Sequence, residues 1–401
     1  MPDPRGRSEP RPWRRRRLGP LAFLAALTVI AAAAVAILVD GSPSSPEPPG
    51  ATETTISTTF RSPPGRHLYV APHGSNSNSG TQNAPWRSIA KALSAVRPGD
   101  TVVFRAGTYG ARGTVATAET SGTAKAPITF KGQPGGPRPR ILGHLKITGS
   151  YLRFSGFLFD GPTGQVKEIT TENPKGEEVE VAIDGDHDTI SDSEIRGSDW
   201  HAGIFLSGAD DVTIVDNYIH DNGDTDPCCY RFQKNASHGI YFDSGSGVIA
   251  NNVIEDNLAR GVQLYPSPSH VLVAYNTIVH NGRAGVIVSH DAADNTIANN
   301  VVADNGDTGV RSDSLTGTGN LVINNLAWHN SHGNIGPMSD GLTLVDNIQA
   351  APRFASPTSY RLGSGSPAIG AANPAYVVGD DYAGVRRPQG AAPDIGAFEA
   401  H

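Results

Sequence analysis

Two short runs hold most of the side chains in this chain that could move a proton or carry charge at one place. HGIYFD, residues 238–243, supplies His238, Tyr241 and Asp243, and RGVQLY, residues 260–265, supplies Arg260, Gln263 and Tyr265. An imidazole, two phenols and a guanidinium suit removal of the proton beside a sugar carboxylate, the step shared by β-elimination and C5 epimerisation of uronates. Such chemistry needs a base, a cation for the developing negative charge and, for elimination, an acid for the leaving oxygen. His238 is the expected base, kept neutral by the adjoining Arg260. Tyr241 or Tyr265 is the expected acid, and Arg260, with Arg231 or Lys234 from the preceding loop, neutralises the uronate. Trp200, His201 and Gln263 are expected to bind substrate. Plainer readings stand beside these: His238 could simply hydrogen-bond the loop, and the tyrosines could be ordinary strand residues. Carboxylates offer a different chemistry. Asp184 and Asp243, two repeats apart on one face, would have backbones about 9.6 Å apart, near the upper end of the roughly 6.5–9.5 Å of an inverting glycosidase. A third reading is a protein that binds glycan on its aromatic side chains without turning it over.

Positioning these groups falls to a repeat. From about residue 150 the phrases VTIVDNYI, GVIANNVI, VLVAYNTI, NTIANNVV and NLVINNLA align Asn217, Asn252, Asn276, Asn300 and Asn325 at spacings of 35, 24, 24 and 25, with Asn347 22 residues further on. A second series runs through Asn222, Asn257, Asn281, Asn305 and Asn330, and Gly followed by Ile or Val returns at Gly203, Gly239, Gly261, Gly285 and Gly309. A period near 24 with short strands marks a solenoid whose coils bury their apolar faces by stacking, whereas a propeller blade needs a longer four-stranded unit. The expected fold is an all-β, right-handed parallel β-helix with asparagine ladders at its corners and a short N-terminal capping helix. Residues one and three after each Gly, such as Ile240 and Phe242, read as inward. Those just before it, and two and four after it, read as outward. Stacking then sets His238 beside Arg260, Tyr241 beside Gln263 and Asp243 beside Tyr265, about 4.8 Å apart.

Two stretches break the period, roughly residues 161–178 and 223–238, and both leave from one corner, where they would wall a cleft. The second contains Cys228 and Cys229, neighbours that could form a vicinal disulfide in an oxidising compartment. Asp221, Asp224 and Asp226 could offer oxygen ligands to Ca²⁺, although the EF-hand glutamate is missing.

The rest of the 401 residues frames this core. Leu18 to Val39 is a run of 22 residues without charge behind Arg14, Arg15, Arg16 and Arg17, long enough to cross a bilayer. Residues 1–17 therefore read as a cytoplasmic basic tail, 18–39 as a transmembrane signal-anchor, and everything after as outside the cell membrane. Secretion after signal cleavage is the alternative. Residues 40–66, rich in Pro, Ser and Thr, read as a linker. Residues 67–401 read as the folded domain, with a capping region at 67–110, coils over about 141–350 and a tail at 351–401. The first 40 residues carry seven basic and three acidic side chains, leaving 25 basic against 36 acidic beyond them, a net of −11. Such a surface repels nucleic acid. The expected partners are a polysaccharide or cell-wall glycan and, through the N-terminal helix, the membrane; the simplest solenoid of this kind is a monomer.

The opening YVAPHGSNSNSGTQNAPWRSIAKALSAVRPGDTVVFRAGTY, the asparagine-bearing coils and the tail DYAGVRRPQGAAPDIGAFE together resemble secreted or membrane-anchored β-helix proteins of the pectate-lyase-like superfamily. The resemblance spans residues 67–401 and implies the right-handed parallel β-helix. It leaves the activity open, because that superfamily holds lyases, glycoside hydrolases, C5-epimerases and surface proteins. Its lyases often use Arg or Lys as the base, where this chain offers His238.

Overall fold

The computed structural model describes residues 65–161, 181–198, 201–223, 236–337, 340–356, 358–376 and 378–400. Its strands join into one 25-stranded sheet that winds as a parallel solenoid with three faces. One face stacks Val181–Ile183, Ala202–Leu206, the first half of His238–Ala250, the first half of Val262–Ala274, Val286–Ser289 and Val310–Asp313, all in parallel register. The long strands His238–Ala250 and Val262–Ala274 bend onto the second face, where they pair with Ala209–Val215 and Thr296–Ala298. Glu194–Arg196, Tyr218–His220, Val253–Glu255, Thr277–Val279 and Val301–Ala303 make the third. Ile204, Ile240, Val262, Val286 and Val310 form one continuous inward row and Leu206, Phe242, Leu264 and Val288 the next, all fully buried. The N-terminal end is covered by the helix Ile89–Ala95, whose N-cap Ser88 accepts the Lys91 amide and which buries Ile89, Ala92 and Leu93.

Both asparagine series form ladders. Asn252 Nδ2 donates to Asn276 Oδ1 at 3.0 Å and Asn276 to Asn300 at 2.9 Å, while Asn257 donates to Asn281 at 2.9 Å and Asn281 to Asn305 at 3.0 Å. Each side chain also donates to a backbone carbonyl, as Asn281 does to Ile254 O at 3.1 Å. The amide therefore meets its partners in a dry corner, where an unpaired polar group would be costly. The ladder explains the recurring glycine. A Cβ at Gly239 would stand 2.7 Å from Gly261 O and 2.9 Å from Asn257 Nδ2, and at Gly203 it would stand 2.7 Å from Asn222 Nδ2. The glycine leaves the volume that the ladder amide fills.

The C-terminal tail folds back along the solenoid. Asn299 exchanges hydrogen bonds with the backbone of Asn373 at 2.8 and 3.0 Å. Arg387 is buried against Glu399 at 2.6 Å, reaches Asn251 Oδ1, and lies over the Tyr275 ring at 4.5 Å.

One expectation is corrected here. Among the described residues no helix is long and apolar enough to cross a membrane. A span needs about 20 apolar residues of helix, and the α-helix found, Ile89–Ala95, has 7. On that finding the transmembrane signal-anchor, the cell-membrane location and the membrane as a partner are withdrawn; residues 18–39 themselves lie outside the described residues.

Candidate active site

Of the sequence-predicted residues, Tyr241 and Gln263 lie in one outward row of the first face and Asp184 and Asp243 in the next. Register places Ala182, Phe205, Tyr241, Gln263, Ile287 and Arg311 in one row, a rung apart from each other. Tyr241 stands beside Gln263 as expected. After Phe242 meets Leu264 the register slips by one, so that Ser244 meets Ser267 and Asp243 faces the Tyr265–Pro266 step. Asp184 follows Ile183, which pairs with Leu206, which pairs with Phe242. Asp184 and Asp243 thus share the second outward row with Ser207 between them, and Asp184 is paired with Lys146 at 3.1 Å.

His238 differs from expectation. It is only 1% exposed, and the reason is parity: it precedes Ile240 by two residues, so strand alternation turns it to the same side as Ile240 and Phe242. Ala202 and Ala284, which precede Gly203 and Gly285, are buried as well, while Arg260, which precedes Gly261, is half-buried. Buried there, His238 accepts the Arg260 amide at Nδ1, 3.2 Å, which leaves the proton on Nε2. Its pKa is held well below the ordinary histidine value by burial first, then by the charges of Arg260 and His201. The imidazole is neutral and anchors the backbone from which the Arg260 side chain leaves.

Around it the neighbouring side chains form a connected layer. Arg260 is half-buried and donates from Nη1 to Gln263 Oε1 at 2.8 Å. Gln263 hydrogen-bonds Tyr241 in turn, which eases the phenol's pKa down, but burial, Asp243 and Tyr265 outweigh it and push the pKa up to about 12. Tyr241 is a neutral donor at every pH of interest. His201 stacks against its ring at 5.5 Å, Phe205 meets it edge-on at 5.2 Å, and Tyr265 lies 6.3 Å away. The Ser244 hydroxyl donates to Asp243 at 3.2 Å.

One residue was missed by sequence reasoning. Arg311, two residues after Gly309, occupies the same outward position as Tyr241 and Gln263, and reading the Gly phrase one coil further shows it. Arg260 is pulled below the usual guanidinium pKa by burial and then by Arg311 and Arg283, while Asp313 and Asp307 act against that.

Trp200, Arg231, Lys234, Asp224, Asp226, Cys228 and Cys229 lie outside the described residues. Asp221 sits at the third face, where its carboxylate bonds His220 Nδ1 at 2.8 Å. Among the described residues no cluster of three or more His, Cys, Asp or Glu could hold a metal ion.

Comparison with known proteins bears on this geometry. A family described as "Pel9A-like, right handed beta helix region" matches residues 68–331. The pectate lyase PEL9 of Emericella nidulans is 25% identical over 209 residues, covering 49% of this chain and 47% of that protein. An uncharacterized protein of Bacillus subtilis, YwoF, is 31% identical over 140 residues, 33% of this chain and 29% of its own length. The chain thus spans about half the length of one of these relatives and under a third of the other. The solved structure of pectate lyase Pel9A superposes with a TM-score of 0.60 at 20% identity, covering 84% of this chain and 97% of that one.

Proposed function

Since the chain belongs to the Pel9A-like right-handed β-helix family, we propose that it acts on a uronate-containing polysaccharide by β-elimination on the first face. The observation that carries the reading is the relay Arg260–Gln263–Tyr241. Arg260 donates to the Gln263 carbonyl oxygen, and the Gln263 side chain hydrogen-bonds the Tyr241 phenol in turn. Arg260 also supplies the cation for the uronate carboxylate, whose charge grows as the neighbouring proton leaves. Tyr241 protonates the leaving oxygen, a task that suits a neutral phenol. Of the two imidazoles in contact with Tyr241, His201 has solvent access and His238 does not. The base in this reading is therefore His201, and His238 is a positioning residue. The names of the Emericella protein and the Pel9A structure support the same substrate class.

The test is ultraviolet absorbance of unsaturated uronate when the full chain is mixed with polygalacturonate and alginate. Tyr241→Phe should lower the rate about 10²–10³-fold. Isotope exchange from solvent without absorbance would instead indicate epimerisation. A second reading, inverting hydrolysis, draws on the shared row of Asp184 and Asp243, two rungs or about 9.6 Å apart at the backbone. New reducing ends without absorbance, abolished in Asp243→Asn, would favour it.

A further inference from the structure

The first face carries an apolar cluster of its own on the outside of the solenoid wall. Ala182, Phe205, Tyr241 and Tyr265 pack together with Ala202, apart from the main core. Register sets Lys146, Ala182, Phe205 and Tyr241 side by side on four successive rungs. Three of these side chains are long and Ala182 is a single methyl, so the row opens a slot between Lys146 and Phe205. Two rungs separate their backbones, about 9.6 Å, and a ring making contacts of about 3.5–4.0 Å on either side fills that width. One wall is the Phe205 ring, braced against His201 and Tyr241 at 5.5 and 5.2 Å. The other is the Lys146–Asp184 pair at 3.1 Å, whose side chains are 47% and 34% exposed. Ala182 and Phe205 are only half-buried, so the slot is open to solvent.

A pyranose is amphipathic, with C–H groups on its faces and hydroxyls around its rim. An aromatic wall suits the face, and an ammonium beside a carboxylate offers a donor and an acceptor to adjacent rim hydroxyls. The charges of Lys146 and Asp184 cancel, and a ring with a carboxylate of its own would set that group against Asp184. We propose that the slot over Ala182 is a subsite for a neutral sugar next to the reacting uronate on its N-terminal side. The substrate is then a glycan in which uronates adjoin neutral sugars. This rests on the elimination reading, since hydrolysis would make Asp184 a reacting carboxylate instead.

The experiment is calorimetric binding of the full chain to two tetrasaccharides, galacturonate alone and galacturonate alternating with galactose. Wild type should bind the alternating sugar more tightly. Ala182→Leu fills the slot from an outward position and should weaken that binding about tenfold. Lys146→Gln, on the exposed rim, should weaken it about fivefold, and decides alone if Ala182→Leu loses its native circular dichroism. A preference unchanged in the folded variants overturns the proposal, as does a wild type that prefers galacturonate alone. A preference that depends on the slot, in a protein that releases no unsaturated uronate from either sugar, would leave the subsite standing and remove only the elimination reading.

Discussion

Asp188→Asn should stabilise the solenoid at neutral pH and leave it unchanged in acid. Asp188 precedes Thr189, the partner of Arg153, and its Oδ1 accepts the Leu152 amide at 2.7 Å. Further along the same face Asn295 accepts the Val271 amide at 2.9 Å, and Asn320 serves Asn295. Those asparagines use their remaining nitrogen on the carbonyl three residues before the amide they serve, Pro268 O at 3.1 Å and Ala292 O at 2.8 Å. The equivalent carbonyl for Asp188 is Gly149 O. Both Gly149 O and Asp188 Oδ2 crowd the point where a Cβ on Gly185 would sit, at 2.0 and 2.7 Å, and Oδ2 is buried without a hydrogen-bond partner. Burial, helped by Asp186, pushes the Asp188 pKa up to about 8 against an opposing bond from Leu152. The folded state thus holds a proton that the unfolded chain releases near 3.8. Its contribution is complete below that pH and is lost as the pH rises toward 8. At pH 7 the linkage sets a ceiling of about 4 kcal/mol, and the cost of one unsatisfied buried oxygen is about 1–3 kcal/mol. Asn should recover about 2 kcal/mol at pH 7 by donating to Gly149 O. Urea unfolding of both proteins from pH 4 to pH 8 is the assay. Parallel curves, or a variant weaker at pH 7, would refute the reasoning.

The ladders and the tail give two further expectations. Asn281→Ala strands the Asn257 amide and the Ile254 carbonyl in a dry corner and should cost about 3 kcal/mol or more. Asn347→Ala, at the half-buried ladder end where water can replace it, should cost about 1 kcal/mol; equal losses in thermal unfolding would contradict the ladder account. Arg387→Met leaves Glu399 buried without its cation, a loss of about 3–5 kcal/mol. Limited proteolysis should then release the tail beyond about residue 350, and adding Glu399→Leu should restore resistance.

The solenoid was legible because its two rules are written in residue types. Gly appears where the ladder amide needs the volume of a Cβ, and Asn appears where a corner has both donors and acceptors to fill. The same rules fade where a smaller group does the job: Ser193 and Ser198 stand one rung before Asn217 and Asn222, their amides donating to those side chains at 3.0 and 3.1 Å, so the phrase breaks off although the coil continues. Tail docking was illegible for another reason. Asn251, Asn299 and Asn324 lie one place before ladder asparagines and look like turn formers, yet they hold chain 47 to 129 residues away.

The site was legible in its rows and misread in one column. Tyr241 beside Gln263 followed from the period of two, and applying that same period backward from Ile240 puts His238 inside. The error mattered because a histidine next to an arginine looks like a poised base on an open face but is something else in a corner. There, with Nδ1 spent on the Arg260 amide, it cannot reach a substrate proton, and the charge of Arg260 only deepens its neutrality. What the pairing does is fix where the guanidinium leaves the strand. Arg260 can then reach Gln263 three residues on, and Gln263 in turn meets Tyr241 on the neighbouring rung.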